Sequence, residues 1–261
     1  MKSLPKFYQD YIDKNFGSYH ATWLPTRELN VGDVISIGDD GGIIPQSTLN
    51  RLEIPFEVVQ DETPFDTDSK QDADVDIAPV AQAGTPAVGN VVTNAEVGFN
   101  IHFKKGNSVV FKLSGSRLYR INFIAELTPT IIKKFKEGTW QKEWMIITEL
   151  IKADSGTIIL AQSGNTSISL KAKADVHAGP IKITDPSLSF DNSANNDDTG
   201  TYIKSDITPL YRCMGIKSSL FGIRFNTRGI IPESEMDSLT VGEITPEEME
   251  DDTTVIDESD L

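Results

Sequence analysis

Three histidines, one cysteine and the carboxylates are the side chains here that could carry nucleophilic, acid–base or metal chemistry. Their spacing supports none of it. His20, His102 and His177 stand far apart, and none lies at a zinc-type interval from another His, Cys or carboxylate. Cys213, in LYRCMG, has no neighbouring base to draw off its proton, so it reads as a buried structural thiol. His102 falls on the polar face of an alternating strand and reads as structural. The run Ile37–Gly42 (IGDDGG) is glycine-rich, but it opens no helix and its two aspartates would repel a phosphate, so it reads as a turn. No nucleophile elbow, Walker A or dinucleotide fingerprint is present. Asn165-Thr166-Ser167 has the form of a glycosylation acceptor and reads as a turn. The expectation is a non-enzyme with no catalytic residues, no metal and no cofactor.

The carboxylates cluster. The net charge of the 261 residues is −15, but Pro232–Leu261 holds 12 acids and no base, and Asp61–Asp76 holds 7 acids against Lys70 alone. The remaining chain has 20 acids and 23 bases. Acidity concentrated in weakly patterned stretches reads as solvated tail and loop, and an acidic chain without a basic stripe argues against nucleic acid as a partner. With one cysteine no intrachain disulfide forms, which suits a reducing compartment. MKSLPKFYQDYIDKNF has no apolar signal core, and the apolar runs, such as MIITELI, are too short for a membrane-spanning helix. The intact protein is expected to be cytoplasmic.

The elements that would position any site read as follows. Leu4, Phe7, Tyr8, Tyr11 and Ile12 recur at helical spacing, predicting a helix over 3–16 that Gly17 stops. HATWLPTRELNVGDVISI holds two short strands. Residues 61–95 read as a long flexible loop, rich in Ala, Gly and Pro after its acidic start. Val97, Phe99, Ile101 and Phe103 alternate with polar or small residues, a half-buried strand. KKGN then turns the chain into a second strand with Val109, Phe111 and Leu113 on one face, and RLYRIN forms a third. ELTPTIIKKFKEGTWQ reads as a helix capped by Thr128, with Pro129 first in it, Gly138 ending it, and Lys133, Lys134 and Lys136 in its last turn. WMIITELIKA is a buried strand. SGTIILAQ and TSISLKAKA follow as a hairpin around Ser163–Ser167, with Ile158, Ile168 and Leu170 among their apolar residues. PIKIT, SLSF, TYIKSDITPLYRCMGIK and SSLFGIRFN complete the strands. The class is α+β: a twisted, mostly antiparallel sheet with a short N-terminal helix and one or two packed helices.

The order of these elements resembles the bacterial gasdermins. The likeness is carried by the N-terminal helix, the strand pair around LPTRELNVGD, GFNIHFKKGNSVVFKL, WMIITELIKADSGTIILAQSGNTSISLKAKADV and the closing TPLYRCMGIK, over most of residues 4–225. The start, Met1-Lys2-Ser3-Leu4, lacks the N-terminal cysteine that members often acylate. The resemblance implies a gasdermin N-domain-like body over 1–231 and a segment over 232–261 that holds it inactive. Cleavage by an activating protease would free the body to bind anionic lipid, oligomerise and insert β-hairpins into the inner membrane, killing the cell in antiphage defence. It assigns membrane strands to Val97, Phe99, Ile101, Phe103, Val109, Phe111, Leu113, Ile158, Ile168 and Leu170. Lipid contacts fall to Lys6, Lys14, Lys133, Lys134 and Lys136, and the masking segment to Met236, Leu239, Val241 and Ile244. A transmembrane strand needs about 9–11 residues with apolar and polar faces; Glu96–Lys104 meets this and Ser108–Ser114 is shorter. The same alternation also describes a half-solvated sheet, so the alternative is a gasdermin-like structural or binding module without pore activity. A β-rich component of a virion or secretion apparatus is a third possibility.

Overall fold

The computed structural model describes residues 3–38, 41–61, 74–81, 97–172, 182–190, 199–218, 239–246 and 248. Among them the chain is mostly antiparallel β-sheet with two α-helices, an α+β protein as expected. No helix among them is long and apolar enough to cross a membrane. The chain divides into two compact units. One is drawn from Met1–Tyr8, Pro64–Ser116 and Ala153–Ile207, the other from Gln9–Thr63, Arg117–Lys152 and Thr208–Leu261.

Helix α1 (Leu4–Phe16) ends where Gly17 takes a left-handed φ of 68°, as its spacing predicts. In the second unit, β1 (His20–Ala21), β2 (Asp33–Ile37), β3 (Ile43–Thr48), β4 (Val58–Asp61) and β8 (Arg117–Ile121) join parts of two long strands, β9 (Met145–Ala161) and β12 (Thr199–Ser218). The order is β1-β12-β9-β2-β3, with β8 on β9 and β4 on β8. Two apolar clusters hold it. One gathers Leu29, Ile35, Met145, Ile147, Leu150, Tyr211 and Cys213. The other packs Val34, Leu49, Ile146 and Trp140 against Leu127 and Ile131 of helix α2 (Leu127–Lys136). The chain enters α2 from a 3-10 turn, Ile124–Glu126, so helical backbone begins upstream of Thr128 and the cap position is Glu126. That corrects the expected cap. Pro129 sits third, where its missing N–H has no intrahelical partner to lose. Gly138, at φ 72°, closes the helix as expected.

The first unit corrects the sequence reading most. Residues 75–81 lie inside the expected loop, yet β5 (Val75–Ala81) is a seven-residue strand paired with β6 (Val97–Phe103). Pro79 obscures it, but among the described residues β5 is an edge strand, where a missing N–H costs no ladder bond. Residues 62–73 and 82–96 lie outside the described residues, as do 173–181 and 219–238. Lys182–Thr184 of PIKIT form a turn, and β11 is Leu188–Phe190. The two strands expected from WMIITELIKA and SGTIILAQ are one, β9.

Neither expected hairpin forms. β6 pairs with β5 and with β10 (Thr166–Ala172), whereas β7 (Ser108–Ser114) pairs with β9. Each four-residue connection, 104–107 and 162–165, therefore carries the chain from one sheet layer to another as an arch. The reason is the second face of β7 and β9. Val110, Ile159 and Ala161 are buried opposite Val109, Phe111 and Ile158, so these strands need cover on both sides. The one-sided strands provide it: Ile101 and Phe103 of β6 and Ile168 and Leu170 of β10 close over Val110, Ile159 and Ala161. The two arches touch. The Asn107 N–H donates to the Gln162 carbonyl at 3.1 Å, and a Cβ on Gly106 would stand 2.3 Å from that oxygen. Asn107 and Asn165 both take left-handed φ, 58° and 56°, which Asn tolerates better than most residues.

Candidate functional site

The expected membrane-strand residues fall into two groups. Ile101, Phe103, Ile168 and Leu170 share the inner face of the four-stranded sheet, with Phe99 half-buried beside them. Val109, Phe111, Leu113 and Ile158 are buried on the far face of β7 and β9, where Tyr8 of α1 approaches Phe111 with ring centroids 6.5 Å apart. The Val97 side chain lies outside the described residues. The outer face of β6 and β10 is polar, with Asn100, His102, Ser167 and Ser169 in cross-strand register. His102 Nδ1 lies 3.0 Å from Ser167 Oγ there. At the arch, Lys104 pairs with Asp76 at 2.7 Å and Lys105 with Asp74 at 2.9 Å. The C-terminal end of the acidic run thus reaches the basic arch, contacts that no sequence interval announced.

Of the expected lipid-contacting lysines, Lys14 is exposed in the last turn of α1 and Lys6 is half-buried in its first half. Lys133 and Lys136 are exposed and Lys134 half-buried on α2; Lys133 also lies 3.8 Å from Glu137.

The expected masking segment is the most structured surprise. β13 (Leu239–Ile244) adds antiparallel to the edge of β12, with Cys213 opposite Ile244 and Ser218 opposite Leu239. Ile244 is fully buried, and Leu239 and Val241 pack on the cluster that holds α2. Met236 lies outside the described residues. Beyond the strand, the Glu248 carboxylate accepts from the Thr245 backbone N–H at 2.8 Å, one half of a capping box. The Lys217 ammonium donates to both Glu248 oxygens, at 2.8 and 2.9 Å, and both side chains are largely buried. The Thr245-Pro246-Glu247-Glu248 interval was the available signal; read as part of an acidic tail, it passed unnoticed.

β1 and β13 share one edge of β12, and His20 links them. Its ring stacks on Tyr211, and Nε2 donates to the Ile244 carbonyl at 2.7 Å. Cys213 Sγ lies 3.7 Å from that nitrogen and 3.9 Å from Met145 Sδ. Burial holds the imidazole neutral, with its pKa lowered to about 4. Burial, then Glu243 and Glu248, push the thiol up. Nε2 is committed to a carbonyl and offers the thiol no lone pair, so the pair lacks the activated thiolate a nucleophile requires. Around it, Tyr19 Oη donates to Glu149, and the Arg212 guanidinium stacks over the Tyr19 ring at 4.4 Å, between Glu149 and Glu243.

His20 makes stability depend on pH. The unfolded imidazole takes a proton near 6.5, the native one only near 4. Between those values the unfolded state binds more protons, so native stability is full above 6.5 and falls as pH drops toward 4, by ~3 kcal/mol in all. Urea titrations should show His20→Gln losing ~2 kcal/mol less than the parent between neutral pH and about pH 5. Equal losses would contradict the assignment.

Among the described residues no group of three or more His, Cys, Asp or Glu is placed to hold a metal ion. No protein-family model matches the chain, and no curated protein matches it.

Proposed function

We propose that the chain is a latent pore-forming protein of gasdermin type, held inactive by its C-terminal strand and released by proteolysis between β12 and β13. The observation that carries the reading is the seating of β13 on β12. A short strand seated on the edge of its partner by its ladder, the His20–Ile244 bond and the Lys217–Glu248 pair is a restraint that cleavage between β12 and β13 would make removable. The sequence resemblance supplies the membrane step. The segments β6–β7 and β9–β10 supply its material: each is two strands joined by four polar or glycine-containing residues, a length that also closes a hairpin. β6 and β10 already carry an apolar face and a Ser/Asn/His/Lys face, the division a barrel wall needs. Opening the arches into hairpins gives every backbone group a partner only when many copies close a barrel, so an oligomer follows.

In this reading the partners are an activating protease, anionic lipid and further copies of the chain. The intact form resides in the cytoplasm and the active form in the inner membrane. β6 is paired on both edges, so forming a hairpin with β7 requires it to release β5 or β10. The second reading is a gasdermin-like binding module, favoured by the apolar faces of β6 and β10 being fully used in the closed sandwich. The two separate on nicking. A protease site placed within 219–238 and cut after folding should yield detergent-extractable oligomers from anionic vesicles. A nicked chain that stays monomeric with vesicles supports the module.

A further inference from the structure

Two sulfur atoms and a ring nitrogen converge in the core of the second unit. Cys213 Sγ lies 3.7 Å from His20 Nε2 and 3.9 Å from Met145 Sδ. The side chains come from β12, β1 and β9, and each is at most 4% exposed. Intervals in the sequence predict no metal, but the fold brings residues 20, 145 and 213 together. One donor is a thioether, which sets the cluster apart from the His, Cys and carboxylate groups that hold zinc. Metal bonds of about 2.3 Å to sulfur and 2.0 Å to nitrogen, at 120° in one plane, would hold the ligand atoms about 4.0 Å (S to S) and 3.7 Å (S to N) apart. The two separations from Cys213 Sγ are close to these lengths. The strands fix the donors. The His20 ring stacks on Tyr211 with centroids 5.2 Å apart. A Cβ at Gly215 would stand 3.3 Å from Met145 Cγ and from Ile244 Cγ1, so the absent side chain makes room for both.

We propose that His20, Cys213 and Met145 form a three-coordinate site for a soft monovalent cation, Cu(I), and that loading it takes His20 Nε2 from the Ile244 carbonyl. Thiolate, thioether and imidazole are donors that suit Cu(I). Charge selects a monovalent ion. The Cys213 thiol gives its proton to solvent as the S–Cu bond forms, so cation and thiolate cancel and no net charge enters the core. Zn(II) would leave a positive charge there and asks for a fourth ligand. Nε2 donates to the Ile244 carbonyl at 2.7 Å. A ligating nitrogen offers a lone pair instead, so the ring proton moves to Nδ1 and the carbonyl loses its donor. Ile244 stands opposite Cys213 in the β12–β13 ladder and packs in the same cluster as Cys213 and Met145. The strand that loses the bond is therefore the one whose opening admits the ion. The site rests on the seating of β13 and not on pore formation.

The test is anaerobic titration of the full, reduced chain with Cu(I) against a chromophoric Cu(I) chelator. The parent should take up one equivalent, and X-ray absorption should show two sulfurs and one nitrogen around it. Met145→Leu nearly conserves volume and so keeps the fold. It should bind at least about tenfold more weakly, the cost of losing even an outer partner of a metal site, and show one sulfur fewer. Cys213→Ala and His20→Gln should each lose about a hundredfold. Loading the parent should lower hydrogen-exchange protection at 240–244 about tenfold, the worth of one hydrogen bond, and leave β6 and β10 unchanged. A parent that binds no Cu(I), full uptake by Cys213→Ala or by Met145→Leu, Zn(II) displacing Cu(I) at equal concentration, or unchanged protection on loading overturns the proposal. Failure to take up Cu(I) leaves the proteolytic reading standing, and vesicles that stay sealed after cleavage leave this site standing.

Discussion

Lys217→Ala is expected to free the C-terminal strand within an otherwise folded protein. The Lys217–Glu248 pair is largely buried, and Glu248 also caps Thr245. Removing the ammonium leaves a desolvated carboxylate with one backbone partner, and breaking a buried pair in this way costs ~3 kcal/mol. The cost falls on the β12–β13 ladder, so backbone amides of 240–244 should lose about a hundredfold in hydrogen-exchange protection. Amides of β6 and β10 should keep theirs. Converting both partners to methionine should recover most of the loss, because an apolar pair leaves no buried charge behind. Unchanged protection in Lys217→Ala would show that β13 is held by Ile244 and its ladder alone.

Gly98→Val should be comparably severe for the opposite unit. A Cβ at Gly98 would lie 1.9 Å from the Leu170 carbonyl oxygen, a backbone atom of the paired strand β10. No rotamer relieves that contact. β6 and β10 must part or shift, and the apolar residues they hold over Val110 and Ile159 move with them. The expected loss is ~3 kcal/mol or more in urea unfolding. By contrast Gly17→Ala, in open space at φ 68°, meets only the backbone preference, ~1 kcal/mol. If the two substitutions cost the same, the β6–β10 register is wrong.

What was legible in the sequence was local. The alternation of Ile101 and Phe103, and of Ile168 and Leu170, marked strands and named the buried face, because a strand exposes its faces at a fixed period. Gly17 and Gly138 marked helix ends for an equally local reason. What stayed hidden depends on a partner far along the chain. A Gly-Asn pair after two polar residues looks the same whether it closes a hairpin or an arch; Val110 of β7 and Ile159 of β9, apolar on the second faces of their strands, tell them apart. Pro79 reads as a strand breaker until the edge it occupies is known. The contacts that seat β13 join His20 to Ile244 across 224 positions and Lys217 to Glu248 across 31, and no periodicity records either. The tail's acidity suggests solvation, whereas Leu239, Val241 and Ile244 lie in a strand paired with β12.

The most direct measurement is dye release from vesicles containing phosphatidylglycerol, recorded on one sample before and after cleavage at a site engineered between β12 and β13. The account predicts a silent intact chain, release that begins with cleavage, and a slower onset when excess peptide spanning 239–248 is present to reoccupy β12. Vesicles that stay sealed after complete cleavage would contradict it.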